Sequence, residues 1–187
     1  MVRRARKVHA GRMHLTFVHD PRGGESVTLI RRVDGAEFKL LSYSRKHRVP
    51  HDLAHAVTER ELGMHDGIFG CIAAGAVFES MEQTAGKKRH DAKTRSQRIL
   101  KAPNSIGMSE ALSSVIHEAV EKDLPAPYAE LREMWGVSRA DPCPYLDEEI
   151  GRATETLREL CQLWEASSNP LVFPWPKSFV SKVPRSA

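Results

Sequence analysis

An α+β domain is predicted by the order in which patterns change along the chain. From His14 to Ser42 apolar and polar side chains alternate between turn signals, and after Pro50 the spacing is helical wherever it is regular. No glycine-rich phosphate loop follows any of the strands, which weighs against a nucleotide-binding parallel sheet. The expected architecture is an N-terminal three-stranded antiparallel meander followed by a bundle of about four helices. Residues 1–12 read as a flexible basic arm, residues 13–168 as one α+β domain, and residues 169–187 as an extended tail rich in Pro and aromatic side chains.

Each element has a local reason. His14 to Val18 suits a strand, and Pro21-Arg22-Gly23-Gly24 is a turn signal. Ser26 to Val33 reads as the second strand, Asp34-Gly35 as a hairpin turn, and Glu37 to Ser42 as the third. The core face would include Leu15 or Phe17, Val27, Leu29, Phe38 and Leu40. Pro50 stands at a first helical position, and Asp52 follows in the first turn, where negative charge favours the helix dipole. That helix runs to about Leu62 and stops at Gly63; Asp66 caps a second, which reaches roughly Thr84 and ends at Gly86. Ser109 caps a third, Glu110 to about Lys122, which Leu124-Pro125-Ala126-Pro127 breaks. A short helical turn covers Tyr128 to Trp135. After the stop at Asp141-Pro142-Cys143-Pro144, a long amphipathic helix extends from about Tyr145 to Ala166. The tail, with Phe173, Trp175 and Phe179, is expected to lie over the body in extended form.

Composition narrows the class. A chain of 187 residues with 41% hydrophobic and 28% charged side chains can bury a core without disulfides. No apolar run is long enough for a membrane span, and the basic N-terminus is followed by polar residues, unlike a secretory signal. Cys71, Cys143 and Cys161 are odd in number and show no C-x-x-C spacing, so a reduced, cytoplasmic setting is expected. The net charge of +4 comes largely from the arm and from Lys87 to Lys101. That run contains no aromatic residue for base stacking, so it reads first as a solvated connection and second as a nucleic-acid surface.

The chemistry concentrates in Pro50-His51-Asp52-Leu53-Ala54-His55, with Glu59 one helical turn later. At about 100° per residue, His51, Asp52, His55 and Glu59 share one arc, and residues four apart stack, so both imidazoles reach a single ion. Imidazole and carboxylate suit a divalent metal, zinc first. The next segment, Ile68 to Phe78, is apolar on all sides and would be central. Continued as a helix antiparallel to the first, it carries Glu79 back to the level of the histidines, with Gly75 leaving room for a ring. The expected site therefore has His51, Asp52, His55, Glu79 and Glu59 as candidate ligands, with Asp52 as the candidate catalytic base. His117 and Glu121, one turn apart, are a weaker pair on a helix that Leu112, Val115, Ile116 and Val120 explain as amphipathic.

The stretch P-H-D-L-A-H, L-G, G-I-F-G, A-A-G-A-V-F-E between Pro50 and Glu79 resembles the core of a group of small bacterial proteins to which no activity is attached. Its H-D-x-x-H element with a later glutamate is also similar to the zinc motif of the Coq4 protein of ubiquinone biosynthesis. That resemblance implies His51, Asp52, His55 and Glu79 as ligands. The spacing of His51 and His55 is similar to the zincin H-E-x-x-H, with Asp52 in place of the glutamate base. His51-Asp52 resembles the HD phosphohydrolase pair, which also wants a histidine on a preceding helix. Two readings compete with a metal-dependent enzyme or metal-binding protein: a self-associating interaction module without metal, forming a homo-oligomer, and a nucleic-acid adaptor using Lys87 to Lys101.

Overall fold

The computed structural model describes residues 12–19, 26–41, 47–87 and 89–182. The expected basic arm, apart from Arg12, and the turn at Pro21 to Gly24 lie outside the described residues. The sheet has five strands rather than three. In chain order the elements are β1 (His14–His19), β2 (Ser26–Arg31), β3 (Glu37–Leu41), α1 (His51–Glu61), α2 (Ile68–Ala74), β4 (Met81–Ala85), α3 (Ala92–Lys101), α4 (Ile106–Glu121), α5 (Tyr128–Ser138), α6 (Asp147–Ala166) and β5 (Leu171–Pro174). Every strand pairing is antiparallel, and the order across the sheet is β4-β3-β2-β1-β5. The fold is α+β, as the pattern order predicts.

The meander is confirmed, with one change of face. Leu15 pairs with Ile30 on one side and Phe173 on the other, and Ile30 pairs with Phe38. These four side chains form an inward row, all nearly inaccessible to solvent. Side chains alternate along a strand, so Thr28 joins Ile30 inside and Leu29 points out at 42% exposure, opposite to the expected face. The polar Thr28 is stable inside because its hydroxyl donates to Asp52 Oδ2 at 2.9 Å, which ties β2 to the first turn of α1.

The core continues from that row into α1 (Leu53, Val57), α4 (Leu112, Ile116) and α6 (Ile150, Leu157, Trp164). α1 is the central helix. It packs against both α4 and α6, and every residue from Leu53 to Glu59 is buried, so its polar arc faces α4 rather than water.

α2 is shorter than its composition suggests. It ends at Ala74, where Gly75 takes φ +116°, a left-handed conformation that glycine adopts at little steric cost. Arg95 Nε donates to the Ala74 carbonyl at 2.9 Å and covers the helix end. The chain then turns, and Met81–Ala85 joins the sheet beside β3 as an edge strand instead of prolonging the helix to Thr84. At the other edge Leu171–Pro174 of the expected tail pairs with β1, and Trp175 is buried with its Nε1–H donated to the Phe179 carbonyl. The basic run is partly a helix: α3 occupies Ala92–Lys101, and Ser96 Oγ accepts from Val77 N–H and donates to Val77 O. No helix among the described residues is long and apolar enough to cross a membrane.

Candidate metal centre

Three side chains, each offering a ligand atom, converge where α1 crosses α4, with those atoms within 4.8 Å of one another. His51 Nε2 and His55 Nε2 are 3.1 Å apart, His51 Nε2 is 3.3 Å from Glu110 Oε1, and His55 Nε2 is 3.1 Å from Glu110 Oε2. The histidines meet because residues one turn apart stack on a helix. Glu110 meets them because α4 runs antiparallel to α1, with Val49 beside His117 and Glu121 at one end and Glu59 beside Ser109 at the other. A tetrahedral site with bonds of about 2.0 Å to nitrogen and oxygen separates its donors by about 3.3 Å. The two ring nitrogens are near that spacing, and the Glu110 carboxylate meets each ring through a different oxygen.

The buried side of His55 fixes which nitrogen is free. Ser109 Oγ donates to Glu59 Oε1 at 2.6 Å, and the same oxygen lies 3.4 Å from His55 Nδ1. When Glu59 is ionised it takes the Ser109 hydrogen, Ser109 can only accept, and Nδ1 of His55 then carries the ring proton and leaves Nε2 a lone pair. The contacts with His55 and then His51, through the positive charge those rings carry when protonated, hold the Glu110 carboxyl at about 2.

Glu59 is fully buried beneath this arrangement. Its Oε1 accepts from Ile68 N–H at 2.7 Å and its Oε2 from Phe69 N–H at 2.9 Å, the free amides at the start of α2. Gly67 permits the approach, since a Cβ there would lie 2.5 Å from the Glu59 carboxyl carbon. Burial nevertheless pushes its pKa up to about 7 against the pull of Ser109, His55 and the two amides.

The remaining expected ligands fall elsewhere. Glu79 is not on α2, because the helix ends five residues earlier; it is exposed in the turn before β4 and does not approach the histidines. The Asp52 carboxylate turns to Thr28 on the sheet and is not among the converging atoms; desolvation raises its pKa. Glu59 supports His55 through Ser109 instead of joining the converging group. The converging side chain that sequence reasoning missed is Glu110. Its signal was the stripe of Glu110, His117 and Glu121, spaced seven and four apart on an amphipathic helix.

A second group, His47, His117 and Glu121, also has ligand-like spacing. Its atoms are already engaged: His117 Nε2 donates to Val49 O at 3.1 Å, and Glu121 Oε1 accepts from Val49 N–H at 2.8 Å. These bonds pin the approach to α1 and account for the group without an ion. The chain matches no protein-family model, no curated protein and no solved structure.

Proposed function

We propose that this protein binds one divalent transition metal, zinc first, through His51, His55 and Glu110, as a metal-binding protein or metal-dependent enzyme. The convergence of these side chains carries the reading: the two imidazole nitrogens are 3.1 Å apart, and each lies within 3.3 Å of a different oxygen of Glu110. Two borderline imidazoles with one hard carboxylate oxygen suit zinc and neighbouring first-row divalent ions, and the group has no thiolate that would select a softer metal. His51 is 30% exposed and Glu110 56%, so a fourth position faces solvent and is open to water or substrate. A cation held there would act as a Lewis acid toward an oxygen of water or substrate.

The protein's own contribution is positional. Ser109 and Glu59 hold His55 in the tautomer and orientation that present Nε2, in the manner of outer groups around metal-bound histidine. Asp52, tied to Thr28, holds the first turn of α1 against the sheet and so places His51. The reaction class this arrangement suits is metal-assisted hydrolysis or hydration. The test is metal content by mass spectrometry after zinc loading and dialysis. One equivalent in the wild type, and none in the His51→Ala/His55→Ala variant, is the expected result; equal content in both sinks the proposal.

A further inference from the structure

Phe69 belongs to two contacts at once. Its backbone N–H is one of the two amides that hold the buried Glu59 carboxylate, at 2.9 Å. Its ring packs against the indole of Trp175, centroid to centroid 5.7 Å, in the segment that follows β5. That segment leaves the sheet where Trp175 N–H is donated to Met13 O at 3.0 Å, and then crosses α2. The Trp175 indole N–H is donated to the Phe179 carbonyl at 2.6 Å, which closes a turn. The Phe179 ring meets the His65 ring edge-on at 4.2 Å, just before α2 begins. Ser181 donates its N–H to Gly70 O at 3.1 Å, and its side chain hydrogen-bonds the Cys71 thiol. Three successive residues of α2, Phe69, Gly70 and Cys71, are therefore held by residues 175–181.

α2 needs such a hold. Its seven residues are too few for a helix to persist through its own hydrogen bonds. Arg95 secures its far end at the Ala74 carbonyl, and the segment after β5 secures its start. That start presents the amides of Ile68 and Phe69, which keep Glu59 within reach of Ser109 and so orient His55. The segment itself has few buried anchors. Trp175 and Ser181 are buried and Phe179 is half-buried, while Lys177, Ser178 and Val180 face solvent. A stretch held at so few points opens locally at a fraction of the free energy of global unfolding.

We propose that residues 175–181 are a strap whose docking on α2 sets the metal affinity of the site at His51, His55 and Glu110. The inference rests on the metal reading. With the strap docked, the two amides face Glu59, and His55 keeps its outer partner. With the strap open, α2 loses its hold at Phe69, Gly70 and Cys71, and the connection from Glu59 through Ser109 to His55 slackens. Coupling of this kind is reciprocal: the factor by which docking raises zinc affinity is the factor by which zinc favours docking.

Hydrogen exchange at the Trp175 indole N–H and the Ser181 amide, read by NMR on the full chain with and without saturating zinc, tests the strap. Zinc is expected to slow both by about fivefold or more. In zinc-saturated Ser109→Ala the slowing should shrink to less than about twofold, because the connection between Glu59 and His55 is cut. A general gain of stability on binding would instead slow exchange alike in the two proteins. Phe179→Ala, which loosens the strap from its half-buried side, should lower zinc affinity about fivefold, and should have little effect within Ser109→Ala. Equal slowing in wild type and Ser109→Ala, or unchanged zinc affinity in Phe179→Ala, overturns the strap and leaves the metal site standing. A wild type that takes up no zinc removes the metal reading, and the strap's role with it.

Discussion

Ser109 on α4 and Glu59 on α1 are joined by a 2.6 Å hydrogen bond at the crossing of the two helices, and both are fully buried. The bond decides the tautomer of His55, because a hydroxyl that gives its hydrogen to a carboxylate can only accept from the ring beside it. Ser109→Ala therefore removes no ligand yet weakens the site. We expect zinc affinity to fall about tenfold, in the range for loss of an outer partner of metal-bound histidine. Stability should drop by about 1–3 kcal/mol, since Glu59 loses a buried donor. Competition titration with a chromophoric chelator reads the first, and urea denaturation of the metal-free protein the second. Unchanged affinity would show that His55 is held by packing alone.

Glu59 also gives a pH signature. Its folded pKa is raised from the ordinary carboxylate value to about 7, chiefly by burial. A raised folded pKa means that the folded state holds the proton more tightly than the unfolded one. The contribution to stability is complete below the unfolded carboxylate pKa and is lost as pH rises through 7. Glu59→Gln does not titrate, so the stability of wild type minus that of Glu59→Gln should shrink between about pH 4.5 and 7.5, by on the order of 3 kcal/mol. A pH-independent difference between the two urea curves would remove this account of the buried carboxyl.

Glu110 and Glu79 separate the structure from the expectation drawn from sequence. Glu110→Ala should lower zinc affinity by about a hundredfold or more, as loss of one of three protein ligands does. Glu79→Ala should leave it unchanged. Glu79 is exposed in a turn, so its substitution should not move stability by more than about 0.5 kcal/mol, whereas Glu110→Ala also removes the contacts with His51 and His55 and should lower it. Isothermal titration of the two variants side by side decides between the sites: zinc binding that depends on Glu79 and ignores Glu110 would overturn the site at His51, His55 and Glu110.

What made His51 and His55 legible was local: spacing of four after a proline at a helix start fixes two rings on one side of one helix. The meander was legible for the same reason, as alternation and a tight Asp34-Gly35 turn act over a few residues. Glu110 was not, because its proximity depends on α4 packing antiparallel against α1 some fifty residues later in the chain. Glu79 was misplaced because an unbroken apolar run carries no sign of where a helix stops. The stop at Gly75 is made from outside, by Arg95 on α3 and by the vacant edge of β3, which takes Met81–Ala85 as a strand. The outward turn of Leu29 follows from a different cause. Thr28 takes the inner place because Asp52 offers its hydroxyl an acceptor, a partner that alternation alone cannot reveal.

Gly67 tests whether the whole buried chain acts as a unit. It contributes no ligand and no side-chain hydrogen bond, yet a Cβ there would stand 2.5 Å from the Glu59 carboxyl carbon and 2.7 Å from each oxygen. Its φ of −71° suits any residue, so the effect of Gly67→Ala is steric and not a matter of backbone strain. The methyl group must displace the carboxylate, which is held by Ser109 and by the amides of Ile68 and Phe69. Displacement frees the Ser109 hydrogen to turn toward His55 Nδ1, and the ring then places its own proton on Nε2, where the metal lone pair is needed. The variant should therefore lose about tenfold in zinc affinity and about 1–3 kcal/mol in stability. The affinity loss should nearly vanish when the comparison is made within a Ser109→Ala background, because the two substitutions break the same connection. Independent, additive losses in that double-mutant cycle would mean that Glu59 serves only the start of α2 and has no part in orienting His55.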